Sequence, residues 1–325
     1  MNVSIIGCGL IGEKRAKALG AHRLVAVADT NLKRAEKVAQ IGKCAVIYDD
    51  WKKAAAHSGA ELVIVATSNN WLTPIGLYAL EHGKHVLIEK PGARSAEEIK
   101  PFLDAARESG KKVKVGFNLR YHPAMLKARE IMDSGALGEM MFLRGRYGHG
   151  GRIGYDKEWR ADKAISGGGE LIDQGVHLID LARWYLGDFT GVDGWAPTYF
   201  WDMKVDDNGF MALRTDKGRM AWLHASCSEW KNLFCLEIYG RNGKLQIDGL
   251  GGSYGAERLT YYKMLPEMGP PETTSWEYPG EDKSWHREFA AFADAIETGK
   301  PLCGDLNDAW QALSIVGKIY AGNRK

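Results

Sequence analysis

The sequence of 325 residues contains no apolar run long enough to span a bilayer, which needs about 20 consecutive apolar residues. It has almost no net charge, +2 at pH 7, and so gives no indication of a nucleic-acid partner. Its five cysteines are scattered and odd in number, and neither zinc-type spacing nor a flavin or iron–sulfur pattern is present. These features exclude a helical membrane protein, predict no metal site, and favour free thiols in a reducing cytoplasm.

The beginning of the sequence lacks the pattern of a secretory signal. Val3–Ile6 runs straight into glycines, and no small-residue cleavage site follows a long apolar stretch. Internal repeats and low-complexity tracts are also missing from the sequence. Because the chain is too long for one typical domain, we expect two. Tryptophan is abundant, with 11 residues, which fits a large core or a sugar-binding surface.

A glycine-rich loop stands between the first predicted strand and the first predicted helix. Val3–Ile6 is a short apolar run typical of a buried strand, and Gly7–Gly12 then reads Gly-Cys-Gly-Leu-Ile-Gly. In a dinucleotide loop the first glycine permits a tight turn, the second lets the backbone approach the pyrophosphate, and the third lets helix and strand pack closely. The helix N-terminus then faces the phosphates. The predicted cofactor contacts are Gly7, Gly9, Leu10, Ile11 and Gly12.

A carboxylate follows the second predicted strand at the distance that such a loop requires. The strand Leu24–Ala28 ends in Asp29, about 20 residues after the glycines, where an acid hydrogen-bonds the ribose 2′-hydroxyl. Because a carboxylate repels a 2′-phosphate, NAD is the predicted cofactor. Lys33 and Arg34 keep NADP possible, although a solvated helix face is the favoured explanation of both.

Strands and helices go on alternating up to about residue 116, which predicts a six-stranded, mostly parallel sheet. The later strands are expected near 45–47 and at 62–66, 85–88 and 113–116, with helices at 31–41, from 49, at 74–81 and at 96–108. Thr67 and Asn69 follow the strand 62–66 at its carboxyl end, the edge where ligands bind in such sheets. Both are therefore predicted cofactor contacts.

Lys90 lies at the end of the strand 85–88, at the same predicted sheet edge as the glycine loop, and is followed by Pro91. An ammonium at that position can hydrogen-bond or protonate a reacting oxygen. Glu89 and Lys90 are therefore predicted to line the cofactor site. The alternative is a surface lysine that pairs with Glu89.

Three consecutive glycines, Gly167–Gly169, precede a helical pattern of apolar residues. On a helix Asp173 and His177 share one face, so the carboxylate can orient the imidazole and raise its basicity. Such an imidazole can take or give a proton during a reaction. The glycines permit unusual backbone angles and would let a ligand approach the main chain. The alternative is a solvated Asp-His pair on an ordinary amphipathic helix.

The second half of the chain predicts a broad sheet and one glycine-rich loop. Strands are expected at 139–147, 191–200, 207–215, 219–228, 234–239 and 244–247, with hairpin turns at 216–218 and 241–243. A loop is expected at 266–279. Helices are expected at 285–298, at 305–320 and over about 14 residues that start at 120. The loop 148–155 and the residues around it suit a sugar or an attached diphosphate, because arginine binds phosphate oxygens in bidentate fashion. The predicted substrate contacts there are Tyr147, Arg152, Tyr155, Trp159 and Arg160. The alternative is a mobile surface loop or a subunit contact.

Three motifs in this order resemble the glucose-fructose oxidoreductase, inositol dehydrogenase and rhizopine catabolism (Gfo/Idh/MocA) family. They are Gly7–Gly12, Gly83–Pro91 and Gly167–Asp180, and the likeness covers nearly the whole chain. The resemblance implies an α/β Rossmann domain, placed at 1–118, and an α+β domain with a large open, mostly antiparallel sheet, placed at 119–325. It also implies NAD(P)-linked oxidation of a sugar or cyclitol secondary alcohol and assembly as a homodimer or homotetramer.

The resemblance also implies roles for single residues. Lys90, Asp173 and His177 match the family's catalytic positions, and the Lys90–Pro91 bond is expected to be cis. The sequence leaves open whether His177, oriented by Asp173, or Lys90 is the base that takes the hydroxyl proton.

Asn118 and Arg120 match family positions that line the substrate site, whereas Trp71–Thr73 stands where many members have a histidine. The arginine-containing loop resembles that of relatives that oxidise nucleotide-linked sugars. The leading expectation is therefore oxidation at C3 of a UDP-linked hexose such as UDP-N-acetylglucosamine to a keto sugar. The alternatives are a catabolic dehydrogenase for free sugar or inositol, and a non-catalytic NAD-binding sensor.

Overall fold

The computed structural model describes residues 1–44, 46–267 and 269–322, so Ala45 of the predicted strand 45–47 and Met268 of the predicted loop 266–279 lie outside the described residues. The chain divides into two compact units. The first contains Met1–Asn118, Ala164–Gly167 and Trp285–Leu313, and the second contains Leu119–Lys163, Gly168–Ser284 and the end of the chain from Ser314.

The first unit is built on a six-stranded parallel sheet with the order β3-β2-β1-β4-β5-β6. Its strands are β1 Asn2–Ile6, β2 Arg23–Ala28, β3 Ile47–Tyr48, β4 Leu62–Val65, β5 His85–Ile88 and β6 Val113–Val115. The central strands are apolar and buried on both faces, as expected for a parallel sheet covered by helices. The predicted six-stranded Rossmann sheet is confirmed.

Five helices connect these strands: α1 Leu10–Lys17, α2 Leu32–Gly42, α3 Trp51–Ala55, α4 Asn69–Glu81 and α5 Ala96–Ser109. α4 begins five residues before the predicted start at Pro74, because Ser68 in extended conformation already occupies the N-cap position. The glycine loop, Asn69 and Lys90 all follow carboxyl ends of strands of this one sheet.

The first unit is completed by a helix from far along the chain, α9 Ser284–Thr298. Phe289 and Phe292 belong to the same buried core as Val3 and Ile5 of β1. A division of the chain at residue 118 assigns this helix to the other domain. Its amphipathic pattern predicts the helix but not the surface that the apolar face covers, which explains the difference.

The second unit contains an eight-stranded sheet with the order β14-β13-β12-β11-β7-β10-β9-β8. Its strands are β7 Met140–Gly148, β8 Phe189–Trp195, β9 Asn208–Thr215, β10 Met220–Ser226, β11 Leu233–Gly240, β12 Gly243–Asp248, β13 Glu257–Lys263 and β14 Glu272–Tyr278. Only the pair β7–β10 is parallel, so the predicted large, mostly antiparallel sheet is confirmed. Both predicted hairpin turns, β9–β10 and β11–β12, are also present.

Two parts of this sheet differ from the sequence prediction. β8 ends at Trp195 rather than near residue 200, since the chain leaves the sheet at Ala196–Pro197. The predicted loop 266–279 is wrong for Glu272–Tyr278, which is an edge strand. This strand is polar and largely exposed, so it shows none of the apolar alternation by which strands are recognised.

Helical segments of both units follow β6 along the chain, and several of them are short. α6 Pro123–Asp133 follows a 3-10 helix at Asn118–Tyr121, in place of the single helix of about 14 residues. α7 Lys163–Ser166 leads to the three glycines, after which a π-helical turn at Leu171–Gly175 continues into α8 Val176–Leu186. The last helix, α10 Leu306–Gly322, ends the described chain.

Candidate functional site

The glycine loop of the first unit has the shape of a dinucleotide cradle. A Cβ on Gly7 (φ +90°) would lie 2.3 Å from the Ala66 carbonyl oxygen, and a Cβ on Gly12 would lie 2.1 Å from the Gly7 carbonyl oxygen. Both positions therefore need glycine for the loop itself to fold. A Cβ on Gly9 would meet nothing within 4 Å, so the space above this glycine is free for a ligand. These residues fit the pyrophosphate of NAD.

Asp29 lies at the end of β2 beside this loop. Its Oδ2 accepts the backbone N–H of Cys8 at 2.7 Å, and its Oδ1 accepts the N–H of Asn31 at 2.8 Å. The half-buried carboxylate therefore stabilises the glycine loop from the position predicted for the ribose contact. A carboxylate accepts more than two hydrogen bonds, so the ribose interaction stays compatible with this arrangement.

Of the other predicted cofactor residues in the loops, some side chains are exposed and others already form hydrogen bonds within the protein. Leu10 is 72% exposed at the first position of α1, and Ile11 is half-buried. The Thr67 hydroxyl donates to the Ser68 carbonyl at 3.3 Å. Asn69 is buried, and its amide donates to the Ser166 carbonyl at 2.8 Å. Asn69 thus also holds the segment that leads to the three glycines.

Lys90 is half-buried and its bond to Pro91 is cis, as the resemblance implies. The proposed surface pair between Lys90 and Glu89 is wrong in one respect, because Glu89 is a buried residue. The Glu89 carboxylate accepts the Arg15 Nε–H at 2.7 Å. Burial raises the pKa of Glu89, and the Arg15 guanidinium opposes that change. Contact of the Glu89 side chain with the cofactor remains a prediction.

The three glycines before α8 pack against the protein itself. A Cβ on Gly168 would lie 2.1 Å from the Tyr320 hydroxyl oxygen, and a Cβ on Gly169 would lie 1.9 Å from the Asp206 carbonyl oxygen. On Gly167 (φ +87°) it would lie 2.6 Å from the Arg94 carbonyl oxygen. Close packing within the protein therefore accounts for all three glycines, and Gly167 has one of the unusual backbone angles expected. Approach of a ligand to this main chain remains a prediction.

Asp173 and His177 do not lie on one regular α-helix. Asp173 is the third residue of the π-helical turn, and His177 lies in the first turn of α8. A π-turn has wider spacing than an α-helix and is frequent at functional sites. His177 is buried, whereas Asp173 is half-buried. Orientation of the imidazole by Asp173 remains a prediction.

The Tyr147 ring contacts His177 in the second unit and also contacts Tyr254. The Tyr147 ring meets the imidazole edge-on with 6.0 Å between the ring centroids, and the Tyr254 ring lies 5.4 Å from that of Tyr147. Burial, together with the nearby Tyr254, raises the pKa of Tyr147 well above its usual value. Tyr147 is therefore a neutral hydroxyl in a buried setting, as its predicted substrate role requires.

The arginines of the predicted substrate loop are neutralised by carboxylates. The Arg160 Nε donates to Asp173 at 3.0 Å, and Nη1 lies 3.8 Å from Glu158. Arg152 is exposed and pairs with the same Glu158 at 2.6 Å. Burial opposes the charged form of Arg160, but Asp173, Tyr155 and Glu158 together outweigh this effect and raise the pKa of Arg160. Two arginines and two carboxylates leave this cluster without net charge.

Three further predicted residues have structural partners. The Arg160 guanidinium lies over the Trp159 ring, 4.5 Å from its centroid. Arg120 forms a bidentate pair with the buried Asp180, at 2.8 and 2.6 Å. Asn118 is buried at the start of the 3-10 helix Asn118–Tyr121. Substrate contact by these three side chains remains a prediction.

Sequence reasoning missed a buried acid beside the predicted site. Glu170 accepts the Tyr155 hydroxyl at 3.5 Å, and its Oε1 lies 3.6 Å from the His149 imidazole. Burial and the neighbouring Glu170 raise the pKa of Tyr155. The Tyr155 ring also contacts Trp201, with centroids 5.6 Å apart. The signal in the sequence was the position of Glu170, directly between the three glycines and the apolar pair Leu171 and Ile172.

Two negative findings apply to the described residues. Within 1–44, 46–267 and 269–322, no helix is long and apolar enough to cross a membrane. Over the same ranges, no group of three or more histidine, cysteine or acidic side chains has the arrangement of a metal site.

Comparison with known families matches this architecture. Residues 1–117 match the model of the oxidoreductase family with an NAD-binding Rossmann fold, and residues 125–246 match the GFO/IDH/MocA C-terminal domain. The chain is thus an NAD-binding oxidoreductase of the Rossmann type. More particularly, it belongs to the Gfo/Idh/MocA family, as the three sequence motifs indicate.

Similar proteins are sugar and inositol dehydrogenases. Levoglucosan dehydrogenase of Pseudarthrobacter phenanthrenivorans is 30% identical over 67% of this chain, and the match spans 59% of that relative's length. scyllo-Inositol 2-dehydrogenase (NAD(+)) of Bacillus subtilis is 31% identical over 94% of this chain and 89% of its own length. Levoglucosan dehydrogenase solved in complex with NADH has a TM-score of 0.91 at 23% identity, covering 100% of this chain and 97% of its own. This last likeness concerns the fold.

Proposed function

We propose that the protein uses NAD to oxidise a secondary ring hydroxyl of an uncharged sugar or cyclitol. The observation that carries this proposal is the neutral cluster of Arg152, Glu158, Arg160 and Asp173. A diphosphate that binds either arginine would also meet the like charge of Glu158 and Asp173, which already neutralise the two guanidinium groups, whereas a neutral polyol would not. The relatives named above act on levoglucosan and on scyllo-inositol, which are both uncharged polyols.

The chain's own residues supply the proton transfer. When bound, NAD supplies the nicotinamide carbon that accepts the hydride. His177 takes the proton from the substrate hydroxyl and Asp173 orients the imidazole. Lys90 hydrogen-bonds the same oxygen and is the alternative proton acceptor. The buried rings of Tyr147 and Tyr155 exclude water around the second unit's part of the site.

The second candidate is oxidation at C3 of a UDP-linked hexose such as UDP-N-acetylglucosamine. It rests on the presence of Arg152 in the glycine-rich loop and of Arg160 between that loop and the three glycines. Arg152 is 70% exposed along its side chain and can turn away from Glu158 towards a diphosphate. A non-catalytic NAD-binding sensor is a third reading, which the joint presence of Lys90, Asp173 and His177 disfavours.

The first experiment is to follow NADH formation at the nicotinamide absorbance band with NAD and a ketone trap. Levoglucosan, free hexoses, glucosides and inositols would be compared with UDP-N-acetylglucosamine. The proposal predicts turnover with at least one uncharged polyol and none with the nucleotide sugar. Turnover with the nucleotide sugar alone would overturn it and make Arg152 and Arg160 diphosphate ligands. No NADH with any substrate would favour the sensor.

We also propose a domain division, a location and an assembly state for this enzyme. Residues 1–118 together with α9 form the NAD-binding domain, and most of 119–325 forms the substrate domain. The protein acts in the cytoplasm as a homodimer or homotetramer. Support for assembly comes from Trp195, Met220 and Trp222 on the eight-stranded sheet, which are 58%, 44% and 56% exposed. Light scattering of the purified protein tests the assembly.

A further inference from the structure

One buried carboxylate binds the start of the helical segment that carries Asp173 and His177. Asp206 precedes β9, and its Oδ1 accepts the Gly169 N–H at 2.9 Å. Its Oδ2 accepts the Leu171 N–H at 2.7 Å. Its backbone carbonyl accepts the Glu170 N–H at 2.9 Å. Three consecutive N–H groups of the segment therefore bind a single residue.

A phenol from the last helix completes this arrangement. The Tyr320 hydroxyl donates to Asp206 Oδ1 at 2.7 Å and accepts the Gly169 N–H at 3.2 Å. The N–H groups at the start of a helix have no partner within the helix and carry partial positive charge. Asp206 and Tyr320 satisfy them inside the protein, where no water replaces a lost partner. Burial raises the pKa of Asp206, and the bonds from Leu171, Tyr320 and Gly169 oppose that rise.

We propose that Asp206 and Tyr320 are positioning residues for the proton-transfer pair Asp173 and His177. This inference rests on the proposed function of that pair. The Asp173 N–H donates to the Gly169 carbonyl at 3.0 Å, so a shift of Gly169 moves Asp173 directly. His177 follows one turn later on the same continuous segment.

The local packing makes this positioning strict. The Tyr320 hydroxyl and the Asp206 carbonyl occupy the space in which side chains of Gly168 and Gly169 would lie. A π-turn is also less favourable than an α-helix, so its place in the segment must be imposed by its surroundings. Misplacement of a catalytic group by about 1 Å can lower a rate about a hundredfold. The bonds to Asp206 and Tyr320 therefore determine where Asp173 is held.

Asp207, the next residue along the chain, binds a different segment. Asp207 accepts the N–H groups of Tyr199, Phe200 and Trp201 at 2.6 to 3.0 Å and thereby folds the loop before β9. Within the described residues, the Asp207 carboxylate makes no hydrogen bond to the π-turn, so the two adjacent carboxylates hold different segments. Only Asp206 is expected to control the proton-transfer pair.

Glu257 provides a matched control in the same unit. It is also a buried carboxylate at a helix N-terminus, because its Oε1 accepts the Ala124 N–H of α6 at 2.7 Å and its Oε2 lies 2.9 Å from His122 Nδ1. The helix α6 carries none of the residues proposed to transfer the proton. Glu257→Gln therefore reproduces the loss of a buried capping charge without displacing the π-turn.

The experiment compares Asp206→Asn, Tyr320→Phe and Glu257→Gln by melting temperature, kcat and KM. We expect Asp206→Asn to lower kcat about ten- to a hundredfold and Tyr320→Phe to lower it several-fold, with KM changed much less. Glu257→Gln should retain nearly normal kcat at a similar loss of melting temperature. Should Asp206→Asn fail to fold, Tyr320→Phe decides alone, since it removes one hydroxyl. Equal kcat in Tyr320→Phe and Glu257→Gln would overturn the inference.

An NMR titration of the histidine rings supplies a second readout that does not need turnover. In Asp206→Asn or Tyr320→Phe the His177 resonances and their titration midpoint should shift, while in Glu257→Gln they should stay in place. If the wild-type protein oxidises no polyol, this titration still tests the positioning and the function alone is rejected. If the wild type is active and the His177 titration is unmoved, the positioning inference is rejected and the function stands.

Discussion

Lys90 and His177 are the two side chains whose removal should affect chemistry most. Proton transfer by a positioned group is worth about a hundred- to ten-thousand-fold in rate. We therefore expect Lys90→Met and His177→Ala each to lower kcat by at least about a hundredfold. NAD affinity, measured by fluorescence titration, should change little in His177→Ala, because His177 belongs to the second unit.

Controls and the pH profile decide between these two residues. Lys100→Met on the exposed face of α5 should have normal kcat. The variant that lacks the base should lose the acidic limb of the kcat/KM profile, while the other variant keeps it. Near-normal turnover in either Lys90→Met or His177→Ala would remove that residue from the mechanism.

At the residue scale, the sequence identifies candidate reactive side chains better than it identifies the residues that hold them in place. Asp29, Lys90 and His177 were found because a strand end or a helical pattern places them. Asp206 and Tyr320 escaped because they act on Gly169 from 37 and 151 residues away along the chain. No local pattern predicts a contact between residues so far apart, and a single sequence does not show which distant residues lie together.

Among the elements, the glycine loop contains one glycine whose substitution should affect cofactor binding without affecting folding. Gly9 has φ −73° and free space around its missing Cβ, so Gly9→Ala should fold with an unchanged melting temperature. The added methyl group would occupy the approach of the pyrophosphate. We expect the NAD dissociation constant to rise about tenfold or more, a loss of about 1.4 kcal/mol per factor of ten. Calorimetric titration with NAD measures it.

Gly12→Ala serves as the contrasting variant. Its Cβ would collide with the Gly7 carbonyl, so we expect a stability loss of about 1 to 3 kcal/mol from overpacking. Each kcal/mol corresponds to about 2 to 4 °C in melting temperature for domains of this size. Unchanged NAD affinity in Gly9→Ala would show that the cofactor does not approach this glycine.

The elements that the sequence predicts well are those with strong local patterns. β4 and β5 are uninterrupted apolar runs, and both ends of β5 agree with the prediction. β14 was missed because an exposed edge strand of Glu, Thr and Ser has the composition of a loop. The π-turn could not be foreseen either, because the residues that bind its start, Asp206 and Tyr320, are far away along the chain.

For the whole molecule, three half-buried histidines predict a loss of stability in weak acid. Burial lowers the pKa of His22, His85 and His224 below the ordinary value of 6.5. Above pH 6.5 the three imidazoles are neutral in both the folded and the unfolded chain, so protonation does not reduce the stability of the fold. As the pH falls from 6.5 through the lowered values, the unfolded chain binds more protons than the folded one, and unfolding is favoured. The melting temperature should therefore fall between pH 7.5 and 5.

Two of these histidines form hydrogen bonds in the folded protein, so their substitution tests whether they cause the acid sensitivity. The His85 Nδ1 accepts the Lys112 N–H at 3.0 Å, and the His224 Nε2 lies 3.0 Å from the Asn208 Oδ1. The variant His85→Gln/His224→Gln should show a shallower fall of melting temperature over the same pH range. An equal slope in wild type and variant would contradict this assignment and place the acid sensitivity in other groups.

The return of α9 to the first unit has a consequence for synthesis on the ribosome. Arg15 is fully buried, and its Nη1 donates to Glu288 Oε2 at 2.6 Å across 273 residues of chain. At about 5 to 20 residues per second, a ribosome reaches Glu288 roughly 15 to 55 s after Arg15. During that interval the Arg15 guanidinium has Glu89 but lacks Glu288, and the surface later covered by Phe292 is open. The unit that emerges first is therefore completed only when most of the second has been translated.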